Sequence, residues 1–156
     1  MDIINPANGT VITSIKEDNK QAIDKAFQLL RSGQKEWSKQ TIEIRIGAIE
    51  KFSKLLSKEI NNLAEILTSE TGKPLTQSIN EIKGAIKRVR FFIDNSKQWL
   101  KDETVSKNEG GEERISFEPL GVIANISAWN YPYLVGVNVF IPALIAGNSV
   151  LYKPSE

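Results

Sequence analysis

The chain has 156 residues, 40% hydrophobic and 25% charged, with 10 Gly and 6 Pro. That composition excludes a disordered tail and a collagenous or low-complexity protein, and suits one soluble domain with a core. Lys and Arg total 20 against 19 Asp and Glu, with no Cys and no His; this excludes polyanion binding driven by counterion release, disulfides, Cys/His metal sites, and histidine- or thiol-based catalysis by these residues.

Met1-Asp2-Ile3-Ile4-Asn5-Pro6 has neither a basic start nor a long apolar run, so no secretory signal and a cytoplasmic location are expected. Ile3-Ile4 and Val11-Ile12 flank Asn8-Gly9, which predicts a small strand pair around a hairpin-type turn. With Asp18 or Asn19 as N-cap, Ala22, Ile23, Ala26, Phe27 and Leu30 recur on one helix face, and Gly33 supplies a stop. Thr41 caps a second helix with Ile42, Ile46 or Ile49, Phe52, Leu55 and Leu56 on its face. This helix either continues or breaks near Ser57 into Ile60, Leu63, Ala64 and Leu67, and Thr71-Gly72-Lys73-Pro74 ends it. Gly72 suits the left-handed position after a helix, and Pro74 the first position of the next.

That next helix carries Leu75, Ile79, Ile82, Ile86, Val89 and Ile93 and runs to about Trp99. Its polar face holds Lys83, Lys87, Arg88, Arg90, Lys97 and Lys101 against Glu81 and Asp94, which reads as a solvated surface. Between Asp102 and Glu118 the composition turns acidic, with an exposed turn at Asn108-Glu109-Gly110-Gly111 and an alternating strand at Arg114 to Glu118. Val122 to Ile126 is nearly all apolar, the pattern of a strand covered on both faces. Pro132 opens an apolar helix ending near Ala146-Gly147, and Asn148 to Lys153 is a further strand. The apolar helix contains Pro132, Asn138 and Pro142 and suits a buried position better than a membrane span. Strand, helix, strand with short joints predicts two parallel neighbouring strands with a right-handed crossover.

Ligands of open α/β sheets collect beyond the carboxyl ends of the strands. Two segments occupy that edge, Ser127-Ala128-Trp129-Asn130-Tyr131-Pro132 and Lys153-Pro154-Ser155-Glu156. Asn130 either directs its amide donors at a developing oxyanion or caps the helix that follows. Lys153 and Glu156 either donate to and accept from ribose hydroxyls or are solvated.

Pro119-Leu120-Gly121-Val122-Ile123, Trp129-Asn130-Tyr131-Pro132, Pro142-Ala143-Leu144, Ala146-Gly147-Asn148 and Lys153-Pro154-Ser155-Glu156 follow one another in order and spacing. Together with Asn5-Pro6-Ala7 and Glu70-Thr71-Gly72-Lys73-Pro74, this string closely resembles the NAD(P)-dependent aldehyde dehydrogenase superfamily over essentially the whole chain. The resemblance implies an α/β fold in which N-terminal helices precede the first βαβ of a Rossmann-like parallel sheet, an incomplete aldehyde dehydrogenase fold. It implies that Asn130 is the oxyanion-stabilising amide, that Lys153 and Glu156 grip the adenosine ribose, and that Ile126, Ser127, Ala128 and Trp129 form the wall along NAD or NADP. Residues 1–103 and 118–156 then form a partial cofactor domain, and 104–117 resembles the strands of the oligomerisation arm. Lys73 is expected to serve the helix junction rather than catalysis.

Two departures from the family pattern stand out. Ala128 stands where the family commonly has Pro before Trp-Asn, so the turn is expected to be less stiff. The family's nucleophilic cysteine and general-base glutamate are expected beyond this segment, and the chain holds no Cys. The resemblance therefore implies the N-terminal part of an enzyme that attacks an aldehyde with a thiolate and passes hydride to the nicotinamide, and a 156-residue chain inactive alone. The alternative is a non-catalytic module that self-associates or pairs with a complementing chain, because its apolar strands lack neighbours. The expected partners are an aldehyde in the whole enzyme and further copies of the chain, with no nucleic acid and no membrane.

Overall fold

The computed structural model describes residues 1–155. Strands β1 (Asp2–Ile4) and β2 (Val11–Ser14) pair antiparallel. Their connection is wider than a two-residue turn: Asn5 N–H donates to Thr10 O and Gly9 N–H to Asn5 O, both at 2.8 Å. Helix α1 (Lys20–Ser38) is capped by Asn19, whose side chain accepts from Ala22 N–H at 2.9 Å. The expected stop at Gly33 does not occur. Gly33 stays helical because the five residues beyond it are tied down from outside, Gln34 Nε2 donating to Gly147 O at 3.0 Å and Trp37 Nε1 to Leu144 O at 2.8 Å. Such tertiary bonds outweigh the ~1 kcal/mol helix penalty of a glycine.

Helix α2 (Ile42–Lys58) starts at its Thr41 cap, and Glu59 separates it from α3 (Ile60–Thr71), so the break near Ser57 is real. Gly72 closes α3 with φ 72°, a left-handed conformation that glycine adopts without strain. Pro74 lies one position before the expected one: with ψ 142° it is the N-cap of α4 (Leu75–Trp99), and its carbonyl accepts from Gln77 and Ser78 N–H. Strands β3 (Glu103–Asn108) and β4 (Gly111–Ile115) form an antiparallel hairpin, exposed at every residue except Ser106. The acidic segment is thus two strands, and the second ends at Ile115 rather than Glu118.

Strand β5 (Val122–Ile126), helix α5 (Pro132–Ile145) and strand β6 (Ser149–Lys153) follow, with β5 and β6 parallel from Val122↔Ser149 to Ile126↔Lys153. Ser149 Oγ donates to Leu30 O of α1, whereas the Tyr152 ring packs on Phe140 of α5. Positions 149 and 152 lie on opposite faces of a strand, so α1 and α5 sandwich the two-stranded sheet. Gly136 allows the close approach of α5, since a Cβ there would lie 2.8 Å from Tyr152 Oη and 3.2 Å from Phe140 Cε1.

The core lies among Ile49 of α2, Ala85, Val89 and Ile93 of α4, and Val137, Ile141 and Ile145 of α5. Three residues assigned to buried helix faces, Ile23, Leu55 and Leu75, are exposed. The strand expected to be covered on both faces is left open on its α1 side over its carboxyl half, because Ala124 and Ile126 are exposed while Asn125 between them is buried.

Every carbonyl from Pro142 to Ile145 at the end of α5 finds a donor. Ala146 N–H serves Pro142, Asn148 N–H serves Ala143, Gly147 N–H and Trp37 Nε1 serve Leu144, and Arg45 Nε serves Ile145 at 2.8 Å. Arg45 Nη1 also reaches Ser38 O at 3.2 Å and Gln40 O at 2.7 Å, so one guanidinium joins the ends of α1 and α5. Burial lowers its pKa from the ordinary arginine value, opposed by the Glu43 carboxylate. Arg45→Met leaves those carbonyls without this donor and is expected to lower unfolding free energy by about 1–3 kcal/mol. A urea midpoint equal to the wild type, followed by far-UV circular dichroism, would show that the clamp contributes nothing.

Candidate functional site at the carboxyl edge of the sheet

The parallel pairing sets the ends of β5 and β6 side by side. Ile126 is the register partner of Lys153, and the ladder runs one residue further through Ser127 N–H to Lys153 O at 3.0 Å. The structure therefore brings Ile126, Ser127 and Lys153 to one edge, with Ala128, Trp129 and Asn130 on the loop that leaves it. Ile126 and Trp129 are 79% and 72% exposed, an apolar surface beside a cation. Ser127 is buried, and its Oγ, like Asn125 Nδ2, has no hydrogen-bond partner among the described residues. Glu156, expected to complete the ribose grip, lies outside the described residues.

Asn130 does not cap α5. The N-cap is Tyr131, which makes no side-chain cap bond, and the Asn130 amide makes no hydrogen bond among the described residues. Pro132 at the first position has no N–H to satisfy. The next donors, Tyr133 and Leu134 N–H, go to Glu81 Oε1 of α4 at 2.9 and 3.4 Å. A carboxylate from another helix thus serves as the cap, and its charge opposes the positive end of the α5 dipole.

The second oxygen of Glu81 accepts from Lys73 Nζ at 2.6 Å, and the side chains are 0% and 14% exposed. Lys73 Nζ also donates to Asn130 O at 2.9 Å and lies 4.6 Å from the centre of the Tyr131 ring. The assignment of Glu81 to the solvated face of its helix is therefore wrong. Glu81 precedes Ala85, Val89 and Ile93 at intervals of one turn, all of them buried, and a carboxylate heading an apolar column is the signal that identifies it. Lys73 does serve the helix junction, but reaches across it to the Asn130 turn. Tyr133 lies alongside: burial first, then Glu70 and Glu81, push its phenol above the usual tyrosine range.

A family model described as the aldehyde dehydrogenase family matches residues 1–156. The 3,6-anhydro-alpha-L-galactose dehydrogenase of Streptomyces coelicolor is 31% identical over 156 residues, 100% of this chain and 32% of that protein. The NADP-dependent glyceraldehyde-3-phosphate dehydrogenase of Bacillus halodurans, solved with NADP, superposes with a TM-score of 0.93 at 28% identity, over 99% of this chain and 34% of that one. A solved relative from Sinorhizobium meliloti, complexed with NAD, gives 0.94 at 27% identity, over 100% and 32%. The chain thus spans about a third of the length of these relatives.

Glu81→Leu strands a half-buried ammonium and two amide donors, and the expected loss of stability is about 3 kcal/mol. Adding Lys73→Met removes the stranded charge, so the double variant should lose less than the sum of the single variants. Urea unfolding of the four proteins measures the coupling; additive losses would show that the two side chains act independently.

Proposed function

The chain belongs to the aldehyde dehydrogenase family, and from this we propose that it is the N-terminal portion of a cytoplasmic, NAD(P)-dependent enzyme oxidising an aldehyde to a carboxylate. The observation that carries the reading is the shared carboxyl edge of β5 and β6, with Ile126 beside Lys153 and the unbonded Asn130 amide on the adjoining loop. The donor set suits a dinucleotide. Exposed Ile126 and Trp129 offer flat apolar area to rings, and Lys153 offers an ammonium to hydroxyl or phosphate oxygens. The orphaned hydroxyl of Ser127 adds a further polar group at that edge. Glu156 supplies an acceptor for the ribose. When bound, the nicotinamide accepts the hydride leaving the substrate.

Asn130 has two amide donors and no proton to exchange, so it stabilises oxygen charge without taking part in acid–base steps. Its backbone is held from behind by Lys73 while its side chain is left to donate. Ala128 and Trp129 carry the chain from the cofactor wall to that amide. No thiolate is available in a sequence without Cys, so these residues bind and orient while the nucleophile comes from elsewhere in the whole enzyme. In the enzyme that carries this segment, Asn130→Ala should lower kcat by about 10²–10³-fold, and Lys153→Ala should chiefly raise the KM for NAD(P). Initial rates from NAD(P)H absorbance test both, and an unchanged kcat for Asn130→Ala removes the oxyanion role. The purified 156-residue chain should show no turnover under the same assay.

Residues 1–103 and 118–156 contribute to the cofactor domain in this reading, and 104–117 to an oligomerisation arm. A second reading, association of the chain with itself or with a complementing chain, draws on the exposure of Leu120, Ile126 and Trp129 and on the exposed hairpin β3–β4. Sedimentation at micromolar concentration is expected to show association; a compact monomer at every concentration counts against it.

A further inference from the structure

We propose that Lys73 and Glu81 are positioning residues for the Asn130 amide, acting as one ion pair that fixes the Trp129-Asn130-Tyr131 turn from both sides. The inference rests on the reading of Asn130 as the oxyanion donor for its use, but the positioning stands on geometry alone. On one side of Tyr131, the carbonyl of Asn130 accepts from Lys73 Nζ. On the other, Tyr133 and Leu134 N–H donate to Glu81 Oε1. The two holds are joined by the bond from Lys73 Nζ to Glu81 Oε2. The backbone on either side of Tyr131 is therefore gripped by a single salt bridge anchored in α4 and in the Gly72–Pro74 link before it.

A cap alone does not call for this arrangement. Asn19 and Thr41 cap α1 and α2 with short neutral side chains from their own segments. Burying a carboxylate and an ammonium costs far more than such a cap unless both are fully satisfied. The charged pair adds what a neutral cap lacks, an ammonium that reaches the Asn130 carbonyl. Two directions of that ammonium point at Glu81 and Asn130, and the Tyr131 ring lies against it as well. The Asn130 side chain keeps its own rotation, but its attachment point is fixed in height and direction, which is the requirement for a donor aimed at charge that develops only during reaction. Ala128 lies two residues before Asn130, so no proline ring restricts the approach to the turn.

The test uses the 156-residue chain labelled with ¹⁵N, with Trp129 and Asn130 signals assigned through Trp129→Phe and Asn130→Asp. Lys73→Met should shift the Asn130 backbone and side-chain amide signals and the Trp129 indole signal, and lower the Asn130 backbone order parameter from about 0.85 to below about 0.6. Lys73→Arg, which keeps the charge, should restore most of that order. Glu81→Gln keeps an acceptor for Tyr133 N–H but releases Lys73, so it should move the Asn130 signals in the same direction as Lys73→Met. If Lys73→Met does not fold, the near-isosteric Glu81→Gln carries the test. Asn130 signals and order at wild-type values in folded Lys73→Met or Glu81→Gln would overturn the proposal, as would equal disturbance of core and turn signals in Lys73→Arg and Lys73→Met. Failure of the oxyanion reading is separate: it appears as unchanged kcat for Asn130→Ala in the whole enzyme and leaves these spectra as they are.

Discussion

Helix α5 is closed at both ends by charges that belong to other helices. Glu81 of α4 accepts the N–H groups of its first turn, and Arg45 of α2 donates to the carbonyl of Ile145 in its last. The signs are those the helix dipole asks for, anion at the N-terminus and cation at the C-terminus. This matters because α5 is almost wholly apolar and its own sequence supplies no capping side chain. Without outside partners the ends of a helix packed into a core leave polar groups stranded, at about 1–3 kcal/mol each when buried. The long helices α2 and α4 thus orient α5 electrostatically as well as bury its side chains.

The site inherits its geometry from that constraint. A two-stranded parallel sheet is too small to hold its own shape, so β5 and β6 depend on α1 against one face and α5 against the other. Arg45 couples those two layers by bonding carbonyls at and just past the end of α1 and at the end of α5 at once. Asn148 adds a second tie at the same end, donating to Ala143 O while accepting from Gly121 N–H just before β5. At the opposite end of α5 the Lys73–Glu81 pair performs the corresponding task for the loop from Ser127 to Tyr131. One end of the unit fixes where the strands begin, and the other where the loop after β5 sits.

Much of this was legible in the residues because it is local. Asn19, Thr41 and Gly72 announce helix boundaries through their own side chains or conformational freedom, and those boundaries stand. The βαβ unit follows from apolar runs and short joints, and its parallel pairing brings Ile126 and Lys153 together as the spacing implies. The errors share a cause, dependence on distant partners. Gly33 stays helical because Trp37 and Gln34 are tied to the far end of the chain. Glu81 reads as one more surface acid because its partners, Lys73 and the amides of Tyr133 and Leu134, come from outside its own turn of helix. Ile23 and Leu55 lie on the proper faces by periodicity, yet no neighbouring element covers them among the described residues. Periodicity identifies which face is apolar, whereas coverage depends on what else packs there.

The Ala128 position shows how such distant ties alter the meaning of a local departure. An alanine before Trp-Asn removes a ring that would restrict φ, and by itself that permits a looser turn. The looseness is confined on the far side of Trp129, where Asn130 O is held by Lys73 and the following amides by Glu81. Stiffness here comes from a non-covalent strut with one end inside the core. A strut of that kind differs from a proline in one respect that bears on function. It acts only while the ion pair is intact, so the order of the loop depends on packing between α3, α4 and α5 rather than on the loop itself. The position of the loop that leaves this edge is therefore a property of the helical body, and the loop residues alone do not make it.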